Sequence, residues 1–169
     1  MIQGRPVNLT DMLAAREERA RQQHALRQAW NLPLLSFCLN IPGPVKTTPL
    51  LRRLFCDTLQ QIGEILSSQG IAIRELRERH ESTGDEALLA LDGDAAAIKQ
   101  IMLRLEETHP LGRLFDLDVL TADGQKLSRP QPRRCLLCGR QAQDCARSRR
   151  HTVEALTAQI KSMLRRYYD

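Results

Sequence analysis

The sequence predicts an α+β fold in which one mixed or antiparallel sheet of four strands carries helices on one face. Two segments have apolar residues at helical spacing, from Pro49 to about Gln69 and from Ala95 to about Thr108. Short apolar runs bounded by Gly, Pro and Asp precede, separate and follow these segments. The order strand, helix, strand, strand, helix, strand is the split βαβ pattern, either ferredoxin-like or similar to a nucleotidyltransferase palm. Further helices are expected at both ends.

The length of 169 residues and an apolar fraction of 42% indicate a single domain with a genuine core. We divide it into an N-terminal helix (1–30), an α+β core (31–128) and a Cys/Arg-rich segment with a C-terminal helix (129–169). The net charge is +5, and residues 126–150 contain eight Lys or Arg but one acid. This concentration of positive charge predicts a polyanionic partner. The odd number of cysteines, five, and the absence of a leader or a long apolar run favour a cytoplasmic chain with reduced thiols.

The N-terminal part predicts a helix followed by a buried strand. Asn8 or Thr10 can cap a helix that runs to about Trp30. Its apolar stripe is thin, so we expect the helix to lie on the outside or to dock a partner. The apolar run from Pro33 to Ile41 then predicts a central strand.

A Gly-containing loop, residues 42–48, leads into the second helix, which Thr48 can cap. Free backbone amides and the helix dipole favour an anion at such a position, so Gly43 and Lys46 are candidate phosphate-binding residues. Arg53 follows closely enough to reach the same anion. The alternatives are a plain strand-to-helix turn and a solvated surface arginine.

The middle of the chain predicts a hairpin of two strands, Ile71 to about His80 and Ala87 to Leu91, joined by a five-residue loop. Residues 92–94 are expected to cap the third helix. A further hairpin is predicted from Leu120 to Leu127, and the last helix from Thr152 to about Tyr167.

The last predicted strand, starting near Leu114, carries Asp116 and Asp118 on one face. Carboxylates about 7 Å apart repel each other unless a cation lies between them, and hard oxygen ligands suit Mg²⁺. His109, Gly112 and Arg113 precede them, and together they supply the metal ligands, cations and backbone room that phosphoryl or nucleotidyl transfer requires. A solvated edge strand is the alternative.

The C-terminal part contains a Cys-x₂-Cys-x₆-Cys-x₅-His pattern among many arginines. Its four side chains suit tetrahedral zinc, whereas unligated core cysteines or redox chemistry are the alternatives. Arg133 and Arg134 precede the first cysteine and are candidates to bind phosphate oxygens or an acidic protein, unless they form a solvated basic face. The candidate metal ligands are Cys135, Cys138, Cys145 and His151.

Three segments in this order resemble the citrate lyase holo-acyl-carrier-protein synthase family, also called apo-citrate lyase phosphoribosyl-dephospho-CoA transferase. They are Asn40-Ile-Pro-Gly-Pro-Val-Lys46, Thr108-His-Pro-Leu-Gly-Arg-Leu-Phe-Asp-Leu-Asp-Val119, and Arg133-Arg-Cys-Leu-Leu-Cys138 with Cys145-Ala-Arg147 and His151. The resemblance covers the chain from Trp30 to the last helix, and the first thirty residues contain no pattern that we can place.

The resemblance implies a nucleotidyltransferase that moves 2′-(5″-phosphoribosyl)-3′-dephospho-CoA from its triphosphate precursor to a serine of the citrate lyase acyl carrier (gamma) subunit. Diphosphate is the leaving group, and neither a membrane nor a nucleic acid is a partner. In this scheme Asp116 and Asp118 hold Mg²⁺, and one of them takes the proton of the serine. Arg113 stabilises the transferring phosphate, while Lys46 and Arg53 hold the β and γ phosphates.

Two other residue groups have open roles in this scheme. His109 is either a general base or a residue that forms a structural hydrogen bond. Arg133 and Arg134 bind either phosphates of dephospho-CoA or an acidic face of the carrier.

Other functions fit parts of the pattern. A zinc-stabilised RNA-binding module requires aromatic residues on the strand faces, but Phe37 and Phe115 are the aromatics of the predicted strands and aromatics make up only 4% of the chain. A non-catalytic carrier-protein chaperone requires the basic surface but not the Asp pair. The equivalent transferase for the malonate decarboxylase carrier shares the prosthetic group.

Overall fold

The computed structural model describes residues 4–169, which form five α-helices, one 3₁₀ turn and four strands. The element order places a helix after the first and third strands. The bounds are α1 Leu9–Trp30, β1 Leu34–Leu39, α2 Pro49–Ser68, β2 Ala72–Glu81, β3 Gly84–Asp92, α3 Ala95–Thr108, the 3₁₀ turn Gly112–Leu114, β4 Phe115–Leu120, α4 Ala142–Ser148 and α5 Val153–Tyr168.

The four strands form one sheet in the order β2-β3-β1-β4, and all adjacent pairs are antiparallel. Because β3 lies between β1 and β2, and β1 between β3 and β4, each helical crossover spans one intervening strand. This is the predicted split βαβ arrangement, with an antiparallel rather than a mixed sheet. The register places Leu35 opposite both Leu89 and Val119.

The main core lies between the sheet and the helices α2 and α3. The ring of Phe37 on β1 stacks on that of Phe55 on α2 with a centroid distance of 4.9 Å, and the edge of Phe115 completes the group. Ile160 and Leu164 of α5 join the same cluster. The helices therefore bury the apolar stripes that their sequences predict.

Helix α1 lies against the opposite face of the sheet. Leu26 packs there on Leu34, Leu88 and Ala90, while Ala15 is its other buried residue. The prediction of a thin apolar stripe is therefore confirmed, and of the two predicted caps it is Asn8 that precedes the helix, where it forms a capping box with Asp11. Helices thus cover both faces, although the two crossover helices share one.

Three local features differ from the sequence expectations. The β2–β3 hairpin has a two-residue loop rather than five, because Glu81 pairs with Gly84, whose φ of +123° favours glycine. Leu114 ends a 3₁₀ turn rather than starting the strand. The predicted hairpin after Leu120 is reduced to an isolated bridge to Lys126.

Helix α4 was not predicted, because its seven residues contain no apolar stripe long enough to show helical periodicity. It holds Cys145 as its one buried residue.

Candidate functional site

Asp116 and Asp118 lie side by side on β4, on the sheet face that α1 partly covers. Their neighbours Phe115 and Leu117 point the other way into the core, as the alternation of a strand requires. The predicted common face of the two carboxylates is therefore present. Lys126 forms an ion pair with Asp118 at 3.0 Å.

Glu86, Cys38 and Asp116 form a row across β3, β1 and β4 on this same face. The Sγ atom of Cys38 lies 3.8 Å from Oδ2 of Asp116. Arg19 of α1 reaches the row, with Nη1 3.5 Å from both Cys38 Sγ and Glu86 Oε1. Burial, followed by the charge of Asp116, raises the pKa of Cys38 to about 12, so its thiol stays protonated. We call Glu86, Asp116, Asp118 and Cys38 the carboxylate face.

Arg19 and Glu86 belong to this surface but were not predicted from the sequence. Glu86 lies just before the apolar run of β3, and strand alternation could have indicated which face of the sheet its side chain occupies. No comparable signal exists for Arg19, because the charged residues of α1 surround a helix without a clear apolar stripe.

Lys46 lies at the same end of the sheet, where Gly84 begins β3. Its Nζ donates to the carbonyl of Ile41 at 2.7 Å. Burial, followed by the charge of Arg16 on α1, lowers the pKa of Lys46. A lysine and an arginine that approach each other in this way create a positive potential suited to phosphates.

The two other predicted phosphate residues near α2 have different surroundings. Gly43 has a φ of +81° and packs against Val153 at the start of α5, where an added Cβ would lie 2.7 Å from the valine side chain. Arg53 stacks on the ring of Tyr168 at 4.4 Å and faces Asp57. Arg53 therefore extends toward the end of α5.

Arg113 lines a cavity of about 560 Å³. Residues from the loop before α2, from the turn before β4 and from the Cys/Arg-rich segment meet in its wall. The Nε and Nη1 atoms of Arg113 are buried and have no hydrogen-bond partner among the described residues. Burial, followed by the charges of Arg133 and Arg129, lowers its pKa. The wall also includes Asn40, Pro42, Leu114, Cys135, Cys145, His151, Thr152 and Val153.

The structure does not place Arg113 and the Asp pair in one cavity. Asp116 and Asp118 point toward the face with α1, whereas Arg113 faces the Cys/Arg-rich segment and the start of α5. The backbone from the 3₁₀ turn to β4 links the two groups, but their side chains face different surfaces.

His109, at the end of α3, is held by specific contacts. Its Nδ1 accepts the N–H of Leu111 at 3.0 Å, and its Nε2 lies 3.3 Å from the hydroxyl of Tyr167. Its ring also packs on Phe115. Burial lowers its pKa, so the neutral imidazole is favoured. These contacts are those of a residue that fixes the turn after α3.

Gly112 and Arg133 both contact the last turns of α3. An added Cβ at Gly112 would overlap the carbonyl oxygen of Glu106, so a close backbone approach requires glycine there. Arg133 donates to the buried carboxylate of Glu106 at 2.9 Å and to the carbonyl of Phe115. Arg134 is exposed and lines an open groove beside Arg113.

Cys135, Cys138, Cys145 and His151 come together as their spacing predicts. One ligand atom from each lies within 4.8 Å of all the others, and the group could hold a metal ion. Hydrogen bonds from the amides of Leu137 and Cys138 lower the pKa of Cys135 to about 6, although burial acts in the opposite direction. All five cysteines of the chain are free thiols in the structure.

Comparison with known proteins gives a match along almost the whole chain. The family model described as apo-citrate lyase phosphoribosyl-dephospho-CoA transferase matches residues 7–167. The chain belongs to this family. One relative is a probable apo-citrate lyase phosphoribosyl-dephospho-CoA transferase of Vibrio cholerae serotype O1 (strain M66-2). It is 40% identical to this chain over 166 residues, which are 95% of this chain and 93% of that protein.

The transferases of Shigella flexneri serotype 5b (strain 8401) and Escherichia coli O1:K1 / APEC are each 36% identical over 162 residues, covering 94% of this chain and 88% of those proteins. Membership of the apo-citrate lyase phosphoribosyl-dephospho-CoA transferase family confirms the resemblance drawn from the three segments. The family match also includes α1, where the sequence had no pattern that we could place.

Two further observations bear on the alternative functions and partners. Phe37 and Phe115 are fully buried, so neither offers a ring on which an RNA base could stack. Within residues 4–169 no helix combines the length and apolar character that crossing a membrane requires.

Proposed function

We propose that this chain transfers 2′-(5″-phosphoribosyl)-3′-dephospho-CoA from its 5″-triphosphate precursor to a serine of the citrate lyase acyl carrier (gamma) subunit. The reaction is a nucleotidyl transfer that releases diphosphate. The observation that carries this proposal is the common face of Asp116 and Asp118 beside Arg19, at the sheet end that also contains Lys46. Family membership supports the choice of substrate and carrier.

The chemistry requires one bond to phosphorus to form as another breaks. The serine oxygen of the carrier attacks the α-phosphorus, the bond to the β-phosphate oxygen breaks, and the serine proton passes to a base. One of the two carboxylates, Asp116 or Asp118, is the proposed base. The Cys38 thiol next to Asp116 stays protonated and does not compete as a nucleophile.

Asp116 and Asp118 are also the proposed ligands for Mg²⁺, which would neutralise charge on the phosphates when bound. Mg²⁺ usually keeps several waters and takes one or two carboxylates together with substrate phosphates. The carboxylate face fits this pattern because it offers two carboxylates on one strand and a third, Glu86, across Cys38. Because Lys126 is exposed, breaking its ion pair with Asp118 costs little free energy.

Lys46, Arg16 and Arg19 are the proposed cations for the β and γ phosphates. The lowered pKa of Lys46 reflects its burial near Arg16, so an anion at this position would relieve a repulsion. Arg53 was a candidate for the same role, but its stacking on Tyr168 favours a structural one. Gly43 is proposed to let the loop before α2 approach the substrate.

Arg113 is proposed to bind a more distant phosphate of dephospho-CoA rather than the transferring one. Two of its buried nitrogen atoms have no partner among the described residues, and its cavity of about 560 Å³ could accept part of a nucleotide. Gly112 and His109 would then act by fixing the turn that carries Arg113.

The exposed arginines of the Cys/Arg-rich segment are the proposed docking surface for the carrier. Arg133 is occupied by Glu106, so the surface consists of residues that point to solvent and would attract an acidic partner. These are Arg134, Arg140, Arg147, Arg149 and Arg150. The zinc predicted from the cysteine pattern has no part in the proposed transfer. We also propose a cytoplasmic location, where the free thiols would stay reduced.

The test is intact-mass spectrometry of the apo carrier subunit after incubation with this protein, the triphosphate precursor and Mg²⁺. A mass gain equal to the phosphoribosyl-dephospho-CoA group, lost with EDTA and restored by excess Mg²⁺, is expected. A parallel reaction contains the malonate decarboxylase carrier. Modification of that carrier alone would overturn the choice of substrate, and no modification of either carrier by folded protein would overturn the transferase proposal.

A further inference from the structure

The four side chains of the Cys/His cluster are arranged closely enough to bind one metal ion. Tetrahedral zinc with bonds of about 2.3 Å to sulfur places its thiolates about 3.8 Å apart. The Sγ atoms of Cys138 and Cys145 are 3.4 Å apart, and all four ligand atoms lie within 4.8 Å of one another. Shifts of less than about 1 Å would give the tetrahedral geometry.

The backbone of the first two ligands has the form of a tight turn around sulfur. Arg134 and Gln141 form an isolated bridge, and Gly139 between them has a φ of +71°. The N–H of Leu137 points to Sγ of Cys135 at 3.4 Å. Amide donors of this kind stabilise a thiolate, which is the form of cysteine that binds metals.

The other two ligands come from α4 and from the residues that follow it. Cys145 is the buried residue of α4, while Arg149 ends that helix in the left-handed region with a φ of 48° and turns the chain toward His151. The Nε2 atom of His151 is buried and has no hydrogen-bond partner among the described residues. A metal ion at the centre of the cluster would satisfy this atom.

The segment that carries the cluster has little hydrophobic core of its own. Between residues 129 and 150 only Cys145 is buried, and α4 is only seven residues long. A helix of this length is not stable by itself in water. Small units without a core commonly depend on a metal, whose binding free energy then contributes to folding.

We propose that Cys135, Cys138, Cys145 and His151 bind one zinc ion as a closed structural site. Three thiolates and an imidazole are a ligand set that zinc prefers, and a fourth protein ligand leaves no open position for catalysis. Because Cys135, Cys145 and His151 also line the cavity of Arg113, the zinc would fix one wall of that cavity. This inference is independent of the proposed transfer reaction.

Metal analysis of the full chain tests the proposal. Protein purified under reducing conditions from zinc-supplemented cells is expected to contain about one zinc per chain. Cys138→Ser, at an exposed ligand, should lower zinc affinity more than about tenfold, and Cys56→Ser, at an exposed cysteine outside the cluster, should leave it unchanged. A wild-type protein without bound zinc would overturn the proposal.

Cobalt substitution provides a readout that does not depend on the folding of a variant. Wild-type protein stripped with a chelator and titrated with Co²⁺ should show the strong visible bands of tetrahedral cobalt and sulfur-to-cobalt charge transfer. Zinc should displace them. A weak octahedral spectrum, or a Cys138–Cys145 disulfide in protein purified under reducing conditions, would overturn the closed thiolate site.

Discussion

The thiol of Cys38 lies 3.8 Å from a carboxylate oxygen of Asp116, and this contact marks the centre of the carboxylate face. The strand that holds Cys38 is central, and Asp116 is on the edge strand beside it. Arg19 is the one cation that contacts the thiol directly among the described side chains. The carboxylates are thus presented by β3 and β4, which both pair with β1, rather than by loops, which keeps their spacing fixed.

Asp116→Asn and Asp118→Asn should each lower the rate of transfer by about 100-fold or more, because each change removes a charged metal ligand without changing side-chain size. Initial rates of carrier modification, followed by intact mass, provide the measurement. Asp92→Asn is the matched control, since Asp92 pairs with Arg74 at the other end of β3 and should retain the wild-type rate. Wild-type rates in both test variants would exclude the carboxylate face from the reaction.

Gly112→Ala should destabilise the protein by about 1–3 kcal/mol, because the added methyl group overlaps the carbonyl of Glu106. Gly63→Ala provides the control within α2, where an added Cβ has no neighbour within 4 Å. That change should stabilise the helix by about 0.5–1 kcal/mol. Urea unfolding measures both free energies. Equal stability of Gly112→Ala and wild type would show that this turn can move away from α3.

The fold was predictable because its signals are local and agree with one another. Helix α2 shows a clear apolar stripe, a Thr48 cap and a proline in its first turn, and the structure places it at the predicted bounds within one residue. The hairpin loop was predicted too long because Gly84 was assigned to a turn, whereas it pairs with Glu81. Sequence spacing alone could not show that glycine would take part in the ladder.

The site was predictable in its residues but only partly in its grouping. Alternation along a strand predicted that Asp116 and Asp118 share a face. The direction of Arg113 depends on the 3₁₀ turn before β4 and on the packing of the Cys/Arg-rich segment, which have no sequence period. Arg19 reaches the same face from a helix far away in sequence, and no local pattern could have indicated this contact.

Arg133→Met and Arg134→Met should separate a structural arginine from a binding one. Arg133 contacts the buried carboxylate of Glu106, so its loss leaves that charge with fewer partners and should lower the free energy of unfolding by about 2–4 kcal/mol. Arg134 is exposed, so Arg134→Met should change stability by less than about 0.5 kcal/mol while weakening carrier binding. Urea unfolding and a carrier-binding titration are the two measurements. The reverse pattern would contradict both assignments.

The buried carboxylate of Asp85 connects the hairpin to the start of α2 and makes stability depend on pH. It accepts hydrogen bonds from Thr47 at 3.0 Å, from Arg52 at 3.0 Å and from Nδ1 of His80 at 2.8 Å. The hydrogen bond to Asp85 raises the pKa of His80 above its usual 6.5, against a smaller effect of burial. Protonated His80 therefore stabilises the folded state.

The free energy of unfolding of wild type relative to His80→Gln should decrease as the pH rises. A raised pKa in the folded state means that the stabilisation is fully present below the unfolded pKa near 6.5 and disappears as the pH rises through the higher folded value. Urea unfolding of both proteins across this range measures the difference. His24→Gln, at an exposed histidine of α1 that does not contact Asp85, is the matched control. A difference that is constant with pH would show that His80 stays neutral beside Asp85.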